Sequence, residues 1–255
     1  PMGPLFAETP ALKPMAAMLA LTPGKAAHKA SNASSPAPAS KGRVALLQGC
    51  AEPVLRPEIR EATVRLLNRA GYDVVFAPGE VCCGALVHHM GREQASLEAA
   101  RRNVDAWSRL ADEGLDAVVV TASGCGTTIK DYGFMLRGDA AYAARAERVS
   151  ALAADISELL ARIEMPPANG RSLRVAYHAA CSLQHGQTVT EAPKALLTNA
   201  GFQVLIPSEA HICCGSAGTY NILQPEIAGQ LGDRKAAALM RLEPAVIATG
   251  NIGCA

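Results

Sequence analysis

The chain is poor in aromatic and charged residues, and these shortages exclude several classes of protein. Of its 255 residues, 4% are aromatic and 18% are charged, and the formal net charge is +1. A nucleic-acid-binding surface needs an excess of basic residues or a platform of stacking rings, and the sequence offers neither. No window approaches the roughly 18 consecutive apolar residues of a membrane span. We therefore expect a globular protein with no nucleic-acid partner, soluble or at most peripheral to a membrane.

Motifs of common catalytic sites are also missing. The sequence contains no Gly-x-Gly-x-x-Gly loop, no phosphate-binding loop and no Ser-His-Asp spacing. Each of these motifs would predict a nucleotide site or a hydrolase. The chain is therefore not expected to carry catalytic residues of its own.

Cysteine, in contrast, is regularly spaced. Eight cysteines form two copies of one pattern: a lone cysteine, an adjacent pair followed by glycine, and a last cysteine preceded by glycine. In both copies 31 residues separate the lone cysteine from the pair, and 41 and 39 residues separate the pair from the last cysteine. The first copy comprises Cys50, Cys82, Cys83 and Cys125, and the second comprises Cys181, Cys213, Cys214 and Cys254. A repeat this close predicts two similar lobes, each gathering four thiols.

Three explanations compete for the gathered thiols. Structural disulfides suit an even number of cysteines, but the chain is not a short secreted scaffold, and adjacent cysteines pair poorly with each other. Buried inert thiols are common in protein cores, yet they would not explain a duplicated spacing. Ligation of zinc or of an iron-sulfur cluster explains the repeat best, because thiolates are preferred ligands of both. The spacing matches neither short zinc knuckles nor the compact ferredoxin run, so the tertiary fold must assemble the ligands.

Strand-like and helix-like segments alternate from residue 43 onward. The predicted strands are Val44–Leu47, Tyr72–Phe76, Ala117–Thr121, Leu173–Tyr177, Val204–Ile206 and Ala245–Ala248. The predicted helices are Pro57–Ala70, Gly91–Glu113, Ala141–Ile163, Glu191–Ala200 and Pro225–Arg241. This order predicts an α/β fold of two similar β-α-β-α-β lobes with parallel sheets and a pseudo-twofold internal repeat. Every cysteine follows a predicted strand, and ligands collect beyond the carboxyl ends of parallel strands, so each set of thiols is expected at one sheet edge.

The sequence divides into four segments. Residues 1–42 are rich in Ala, Pro and Ser and predict a partly disordered linker with a short helix around Leu12–Leu21. Residues 43–140 form the first predicted lobe, residues 141–170 a connecting helix and turn, and residues 171–255 the second lobe. Since the chain opens with Pro1 and stops one residue after Cys254, we expect a fragment of a longer polypeptide.

With this pattern in place, the chain resembles the cysteine-rich CCG domain family, found in heterodisulfide reductase subunits and in iron-sulfur subunits of 2-hydroxyacid oxidases. Within the family the likeness is to the carboxyl-terminal part of the iron-sulfur subunits of glycolate oxidases. It covers about residues 43–255. The segments that carry it are Leu47–Cys50, Val81–Arg92, Ala122–Gly126, Tyr177–Gln187, Cys213–Asn221, Gln224–Glu226 and Thr249–Cys254.

The resemblance implies an iron-sulfur electron-transfer subunit that passes electrons from a flavin-containing glycolate oxidase subunit towards the respiratory chain. Substrate oxidation would then belong to the flavin partner, and this chain would be non-catalytic. Each set of four cysteines would ligate a cofactor, a [4Fe-4S] cluster, with zinc as an alternative at one site. The implied location is the cytoplasm, or the inner face of the cell membrane as a peripheral protein.

The chain departs from the family in two respects. The glycolate oxidase subunits normally carry two ferredoxin-type cysteine runs in their amino-terminal half, and this chain has none. Many CCG domains end in Cys-x-x-Cys, whereas Gly126, Thr127 and Thr128 follow Cys125. Two alternatives stay open: a zinc-binding or metal-free docking module for the flavin subunit, and a heterodisulfide-reductase-like thiol-redox protein using the adjacent cysteines.

Residues near the cysteines have further candidate roles. The histidines near the second set are His178, His185 and His211. Imidazole can replace thiolate as a ligand or tune a cluster through hydrogen bonds, and the alternative is an ordinary residue of a turn or strand end. The basic residues expected on solvated helix faces are Arg92, Arg234 and Lys235. The glycines expected to allow tight turns and close approach to a bulky cofactor are Gly49, Gly84, Gly124, Gly215 and Gly253.

Overall fold

A computed structural model describes residues 40–163, 165 and 172–255, together with Met15. Apart from Met15, the predicted helix around Leu12–Leu21 lies outside the described residues. The turn predicted at 166–170 lies outside them as well.

The first lobe is built on a four-stranded parallel sheet. Its strands are β1 (Gly42–Leu46), β2 (Tyr72–Val75), β3 (Ala117–Val120) and β4 (Ala153–Asp155). They lie in the order β2-β1-β3-β4, and each neighbouring pair is parallel. Its helices are α1 (Glu52–Leu55), α2 (Pro57–Ala70), α3 (Ala85–His89), α4 (Glu93–Asp112), α5 (Ser123–Lys130), α6 (Tyr132–Met135), α7 (Ala143–Leu152) and α8 (Ile156–Ala161).

The apolar character of the central strands explains why helices cover both faces of this sheet. All four residues of β3 are buried, as expected for a parallel strand between two helical layers. Val118 and Val120 pack into a cluster on the α4 side that contains Trp107. Val119, between them, packs into the opposite cluster with Leu67 of α2. The alternation of strand side chains thus divides the core into two layers.

The second lobe repeats this design on a three-stranded parallel sheet. Its strands are β5 (Arg174–His178), β6 (Gln203–Leu205) and β7 (Val246–Thr249), in the order β6-β5-β7. Its helices are α9 (Ala192–Asn199), α10 (Tyr220–Leu223) and α11 (Pro225–Met240). A π-helical turn spans Ser182–Gly186, and a 3-10 turn spans Ile252–Cys254. The order β6-β5-β7 matches β2-β1-β3, so the predicted α/β fold with two similar parallel lobes is confirmed.

The segment between the repeats differs from the sequence-based expectation. A continuous helix was predicted over 141–163, but α7 ends at Leu152 and β4 joins the first sheet beside β3. The reason is local, because Asp155 caps α8 in a capping box with Glu158 and therefore takes an extended conformation. Helical periodicity on both sides of a three-residue strand conceals the break.

None of the helices in the described part of the chain is long and apolar enough to cross a bilayer.

Candidate metal centres

The structure brings the first four cysteines together at the carboxyl ends of β1, β2 and β3. The Sγ atoms of Cys50 and Cys82 are 3.5 Å apart. The thiol of Cys83 contacts those of Cys125 and Cys82. Cys83 is buried and Cys50 is exposed, so the set extends from the core to the surface. Three segments distant in sequence thus supply one group of four sulfurs.

Contacts between these thiols shift the pKa values of Cys50, Cys82 and Cys83 in different directions. Hydrogen bonds from the thiols of Cys50 and Cys83 hold the pKa of Cys82 below its usual range. The same contact with Cys82, together with burial, raises the pKa of Cys50. The pKa of Cys83 is raised by its contact with Cys125, then by Cys82 and by burial. A metal bound here would displace the remaining protons, because thiolates are the ligating form.

Two buried polar side chains fix the backbone that carries the adjacent cysteines of the first lobe. The Oδ1 atom of Asn103 accepts a hydrogen bond from the backbone N–H of Val81 at 2.8 Å, and its Nδ2 donates to the carbonyl of Cys82 at 3.3 Å. The hydroxyl of Tyr132 donates to the carbonyl of Cys83 at 2.8 Å and accepts from Asn103 at 3.0 Å. Cysteine spacing gave no indication of either residue. The feature that could have drawn attention to Asn103 is its position on the otherwise largely apolar face of α4, where the structure buries it completely.

The second four cysteines occupy the equivalent strand ends. Cys181 interacts with Cys213, and Cys214 with Cys254. The sulfur of Cys213 accepts a hydrogen bond from the backbone N–H of Gly215 at 3.3 Å, and that of Cys254 accepts one from Asn251 Nδ2 at 3.7 Å. Such donors stabilise negative charge on sulfur.

Hydrogen bonds also lower one pKa in the second set. A hydrogen bond from the thiol of Cys254, assisted by His178, lowers the pKa of Cys214 to about 4. The contact with Cys214 and burial raise the pKa of Cys254. Burial and the neighbouring Cys213 raise the pKa of Cys181. In both sets, a contact between two thiols lowers the pKa of one cysteine and raises the pKa of the other.

The three histidines near the second set differ in position. His178 ends β5 with 2% of its surface exposed. Its ring offers a nitrogen that, with the sulfurs of Cys214 and Cys254, forms a group whose atoms all lie within 4.8 Å of one another. His185 and His211 are exposed.

The position of Lys235 differs from the one that the sequence predicted. It was predicted on a solvated face of α11, but only 3% of its surface is exposed. Its Nζ donates to the carbonyls of Glu209 and Ala210 at 2.9 and 3.3 Å, which holds the segment that leads to Cys213. Burial lowers the pKa of Lys235, and the thiols of Cys214 and Cys213 oppose that change. The expectation of an exposed side chain is correct for Arg92 and Arg234.

The glycines that follow the cysteine pairs adopt the left-handed conformation, with φ of 84° at Gly84 and 90° at Gly215. A Cβ atom added to Gly215 would lie 2.3 Å from the carbonyl oxygen of Ala228 in α11. The predicted tight turn is therefore confirmed at both positions. At Gly215 the backbone approaches α11 closely, and the expected approach of these glycines to a cofactor stays a prediction.

The two sites share an interface between the lobes. The Oγ atoms of Ser123 and Ser182 are 2.7 Å apart, and Gln187 Nε2 donates to the carbonyl of Ser123 at 2.9 Å. The backbone N–H of Ser123 donates to the carbonyl of Gly250 at 3.0 Å. Ser123 stands two residues before Cys125, and Ser182 follows Cys181. The cysteine-bearing turns of the two lobes are thus in direct contact.

Comparison with known proteins agrees with this repeat. The family model for the cysteine-rich domain (CCG) matches residues 44–130 and 175–255. These ranges include all eight cysteines and the strands of both sheets, except β4 and the first residues of β1 and β5. The chain belongs to the CCG family. The resemblance stated from sequence is therefore confirmed, and each CCG match corresponds to one of the structural repeats.

Three relatives indicate the range of CCG proteins that are similar to this chain. The glycolate oxidase iron-sulfur subunit of Escherichia coli (strain K12) is 43% identical over 84% of the chain and 53% of its own length. The probable glycolate oxidase iron-sulfur subunit of Bacillus subtilis (strain 168) is 34% identical over 84% of the chain and 48% of its own length. Lactate utilization protein A of Bacillus licheniformis is 27% identical over 83% of the chain and 88% of its own length. The chain thus spans about half the length of the glycolate oxidase relatives.

Proposed function

We propose that this chain is an iron-sulfur electron-transfer module of a glycolate (2-hydroxyacid) oxidase or dehydrogenase. It would accept electrons from a flavin-containing subunit and pass them towards the respiratory chain, in the cytoplasm or at the inner face of the cell membrane. The observation that carries the proposal is the gathering of all eight cysteines into two sets at equivalent strand ends. The two relatives named as glycolate oxidase iron-sulfur subunits support the assignment.

The donor set fits such a cofactor. Thiolates are the usual ligands of iron-sulfur clusters, and four sulfurs satisfy a [4Fe-4S] cluster. Cys50, Cys82, Cys83 and Cys125 would hold the first cofactor, and Cys181, Cys213, Cys214 and Cys254 the second. When bound, an iron-sulfur cluster supplies the uptake and release of single electrons. The first site would belong to the lobe at 43–140, whose sheet β4 of the 141–170 segment joins, and the second to the lobe at 171–255.

The residues around the cysteines would orient the ligating thiols and tune the reduction potential of the bound cofactor. Asn103 and Tyr132 hold the carbonyls of Cys82 and Cys83, so the two thiols keep a fixed separation. The hydrogen bond from Asn251 to Cys254 reduces the negative charge on that sulfur, and reduced charge favours the reduced state of a cofactor. The exposed Cys50 gives the first site an edge that a partner can approach.

Metal and sulfide analysis of the chain purified without oxygen tests the proposal. We expect roughly four to eight iron atoms per chain with matching acid-labile sulfide, and a visible absorption that bleaches on reduction. Zinc alone would favour the docking module, and thiol-disulfide activity without metal would favour the thiol-redox alternative. Either result would overturn the electron-transfer assignment.

Paired variants locate the two sites. Cys83→Ala should remove the iron of the first site and keep that of the second, and Cys214→Ala should do the reverse. Leu86→Ala, an exposed substitution in α3 beside the first site, is the matched control and should keep all the iron. Full retention of iron in Cys83→Ala would contradict the assignment of Cys83 as a ligand.

A further inference from the structure

The two lobes differ at one buried position beside the cysteines. His178 stands three residues before Cys181, and Leu47 stands three residues before Cys50. Both side chains are buried, with 2% and 4% of their surface exposed. One lobe therefore places an imidazole ring where the other places an apolar side chain.

Within the described residues, the imidazole of His178 has no oxygen or nitrogen atom as a hydrogen-bond partner, although both ring nitrogens are shielded from solvent. The polar groups that the ring faces are the sulfurs of Cys214 and Cys254. Leaving a buried polar group unsatisfied destabilises the folded state, so such a group in a native protein needs an explanation, and a bound ion is one of the usual ones. The ring is positioned to bind an ion, because one nitrogen lies within 4.8 Å of the sulfurs of both Cys214 and Cys254.

A second group without a hydrogen bond lies on the neighbouring strand. Thr249 ends β7 and is the register partner of His178 in the second sheet, and its Oγ1 atom is buried without a hydrogen bond. Register partners on adjacent strands project to the same face. Ligating histidines usually donate their other ring N–H to a neighbouring oxygen, and Thr249 Oγ1 is available for that role. In the first lobe the residue five before the last cysteine is the buried Val120, so the apolar pair Leu47 and Val120 occupies the positions of His178 and Thr249.

We propose that His178 is a ligand of the second metal centre, together with Cys214 and Cys254, and that Thr249 orients its ring. This inference rests on the proposed function, because it assumes that the second set binds metal. The first centre is then ligated by sulfur alone, whereas the second has a mixed nitrogen and sulfur donor set. Imidazole and thiolate together suit both zinc and iron-sulfur centres.

A mixed donor set has a functional consequence. In this mixed set His178 takes the place of one of the four thiolates assigned to the second cofactor. Replacing thiolate by neutral imidazole lowers the negative charge of an iron-sulfur centre and raises its reduction potential. An iron-sulfur centre at the second site would then accept electrons from one at the first. A zinc ion there would hold the second lobe together and take no part in electron transfer.

Spectroscopy on the intact, anaerobically purified chain tests for the nitrogen ligand. Protein grown with ¹⁵N-labelled histidine is compared with unlabelled protein by pulsed paramagnetic resonance of the reduced state and by zinc and iron X-ray absorption. We expect a nitrogen coupling that changes with the label if the second centre is an iron-sulfur centre, or a nitrogen at about 2.0 Å from zinc if it is zinc. A wild-type chain whose metals are bound by sulfur alone would overturn the proposal.

Variants connect the signal to His178. His178→Leu introduces the residue type of the first lobe and should lose the nitrogen signal and weaken metal retention at the second site about tenfold or more. His178→Cys should keep the metal, exchange nitrogen for sulfur and lower the reduction potential of an iron-sulfur centre. His185→Leu, an exposed histidine in the turn after Cys181, is the matched control and should change neither.

The outcomes separate the two proposals. If the wild-type chain contains no iron or sulfide, the proposed electron-transfer function fails whatever happens at His178. If iron and sulfide are present and both His178 variants keep the wild-type nitrogen signal, the histidine ligand fails and the proposed function stands. Should His178→Leu not fold, as judged by circular dichroism, His178→Cys and the labelled wild-type chain still decide the question.

Discussion

At the scale of single residues, Glu80 shows how a carboxylate supports the first site without touching it. Its Oε1 accepts a hydrogen bond from the backbone N–H of Gln48 at 2.6 Å, and its Oε2 accepts one from Trp107 at 3.2 Å. Gln48 leads to Cys50, and Glu80 itself leads to Cys82. Burial raises the pKa of Glu80 to about 7, and the two hydrogen bonds only partly oppose it.

The raised pKa of Glu80 predicts a pH dependence of stability. Between its unfolded value near 4.5 and about 7, the folded state holds a proton that the unfolded state has lost. The contribution of Glu80 is therefore fully present below about pH 4.5 and is lost as pH rises through 7. Denaturant unfolding from pH 5 to 8 should show the free energy of unfolding falling by about 1–3 kcal/mol more in the wild type than in Glu80→Gln. Equal slopes for the two proteins would contradict this role.

The sequence predicted that the cysteines gather at the strand ends, because residue type and spacing are visible in one dimension, and the structure brings them together there. Their role as metal ligands stays a prediction. Sequence reasoning could not find Asn103 or Tyr132, whose roles depend on which carbonyls they meet after folding. It placed Lys235 in solvent because a lysine in a helix usually is exposed. The two carbonyls that satisfy its ammonium group come from a loop about 25 residues earlier.

At the scale of secondary-structure elements, the turn of Cys213, Cys214 and Gly215 depends on its contact with α11. A side chain at Gly215 would collide with the carbonyl oxygen of Ala228 and would also have to adopt a φ of 90°. The collision cannot be relieved by a side-chain rotation, because the obstructing atom belongs to the helix backbone. The turn and the helix must therefore separate to admit a methyl group.

Gly215→Ala should consequently be far more disruptive than an alanine at an unobstructed left-handed glycine. Gly114 is the matched control, with a φ of 91° and no atom within 4 Å of an added Cβ. We expect Gly114→Ala to cost about 1–2 kcal/mol in free energy of unfolding from backbone strain alone. Gly215→Ala should cost at least about 2 kcal/mol more and should release metal from the second site. Similar costs for the two variants would show that α11 yields easily.

Element prediction from sequence was accurate where hydrophobic periodicity was long. The predicted helix at Gly91–Glu113 appears as Glu93–Asp112, and that at Pro225–Arg241 appears as Pro225–Met240. The π-helical turn at Ser182–Gly186 and the five-residue α3 were missed because such short elements carry no periodic signal. The π-helical turn directly follows Cys181, and α3 begins two residues after Cys83.

At the scale of the whole molecule, the contact between the lobes makes their stabilities interdependent. Gln187 belongs to the second lobe and donates to the carbonyl of Ser123 in the first. Trp107, the sole tryptophan of the chain, is fully buried in the first lobe and reports on that lobe alone. A substitution in the second lobe that shifts the unfolding of Trp107 must therefore act through the interface.

Gln187→Ala should shift the denaturant midpoint of Trp107 fluorescence, with a loss of about 1–2 kcal/mol, because the Ser123 carbonyl keeps its bond from Thr127 but loses the hydrogen bond that joins the two lobes. Gln184→Ala is the matched control. Its side-chain amide donates to the carbonyls of Ala179 and Ala210, which both lie within the second lobe. It should leave the Trp107 transition unchanged. An unchanged transition in Gln187→Ala would mean that the lobes unfold independently.

The parallel order of the strands also determines when a metal can be captured. Val44 of β1 pairs with Ala117 of β3, so Cys125 reaches its partners only after a crossover of more than 70 residues has formed. Pairings this distant in sequence form slowly. Until then the thiols are separate, unligated and open to oxidation. The interval between synthesis and strand pairing is therefore the period in which this protein depends most on a reducing environment.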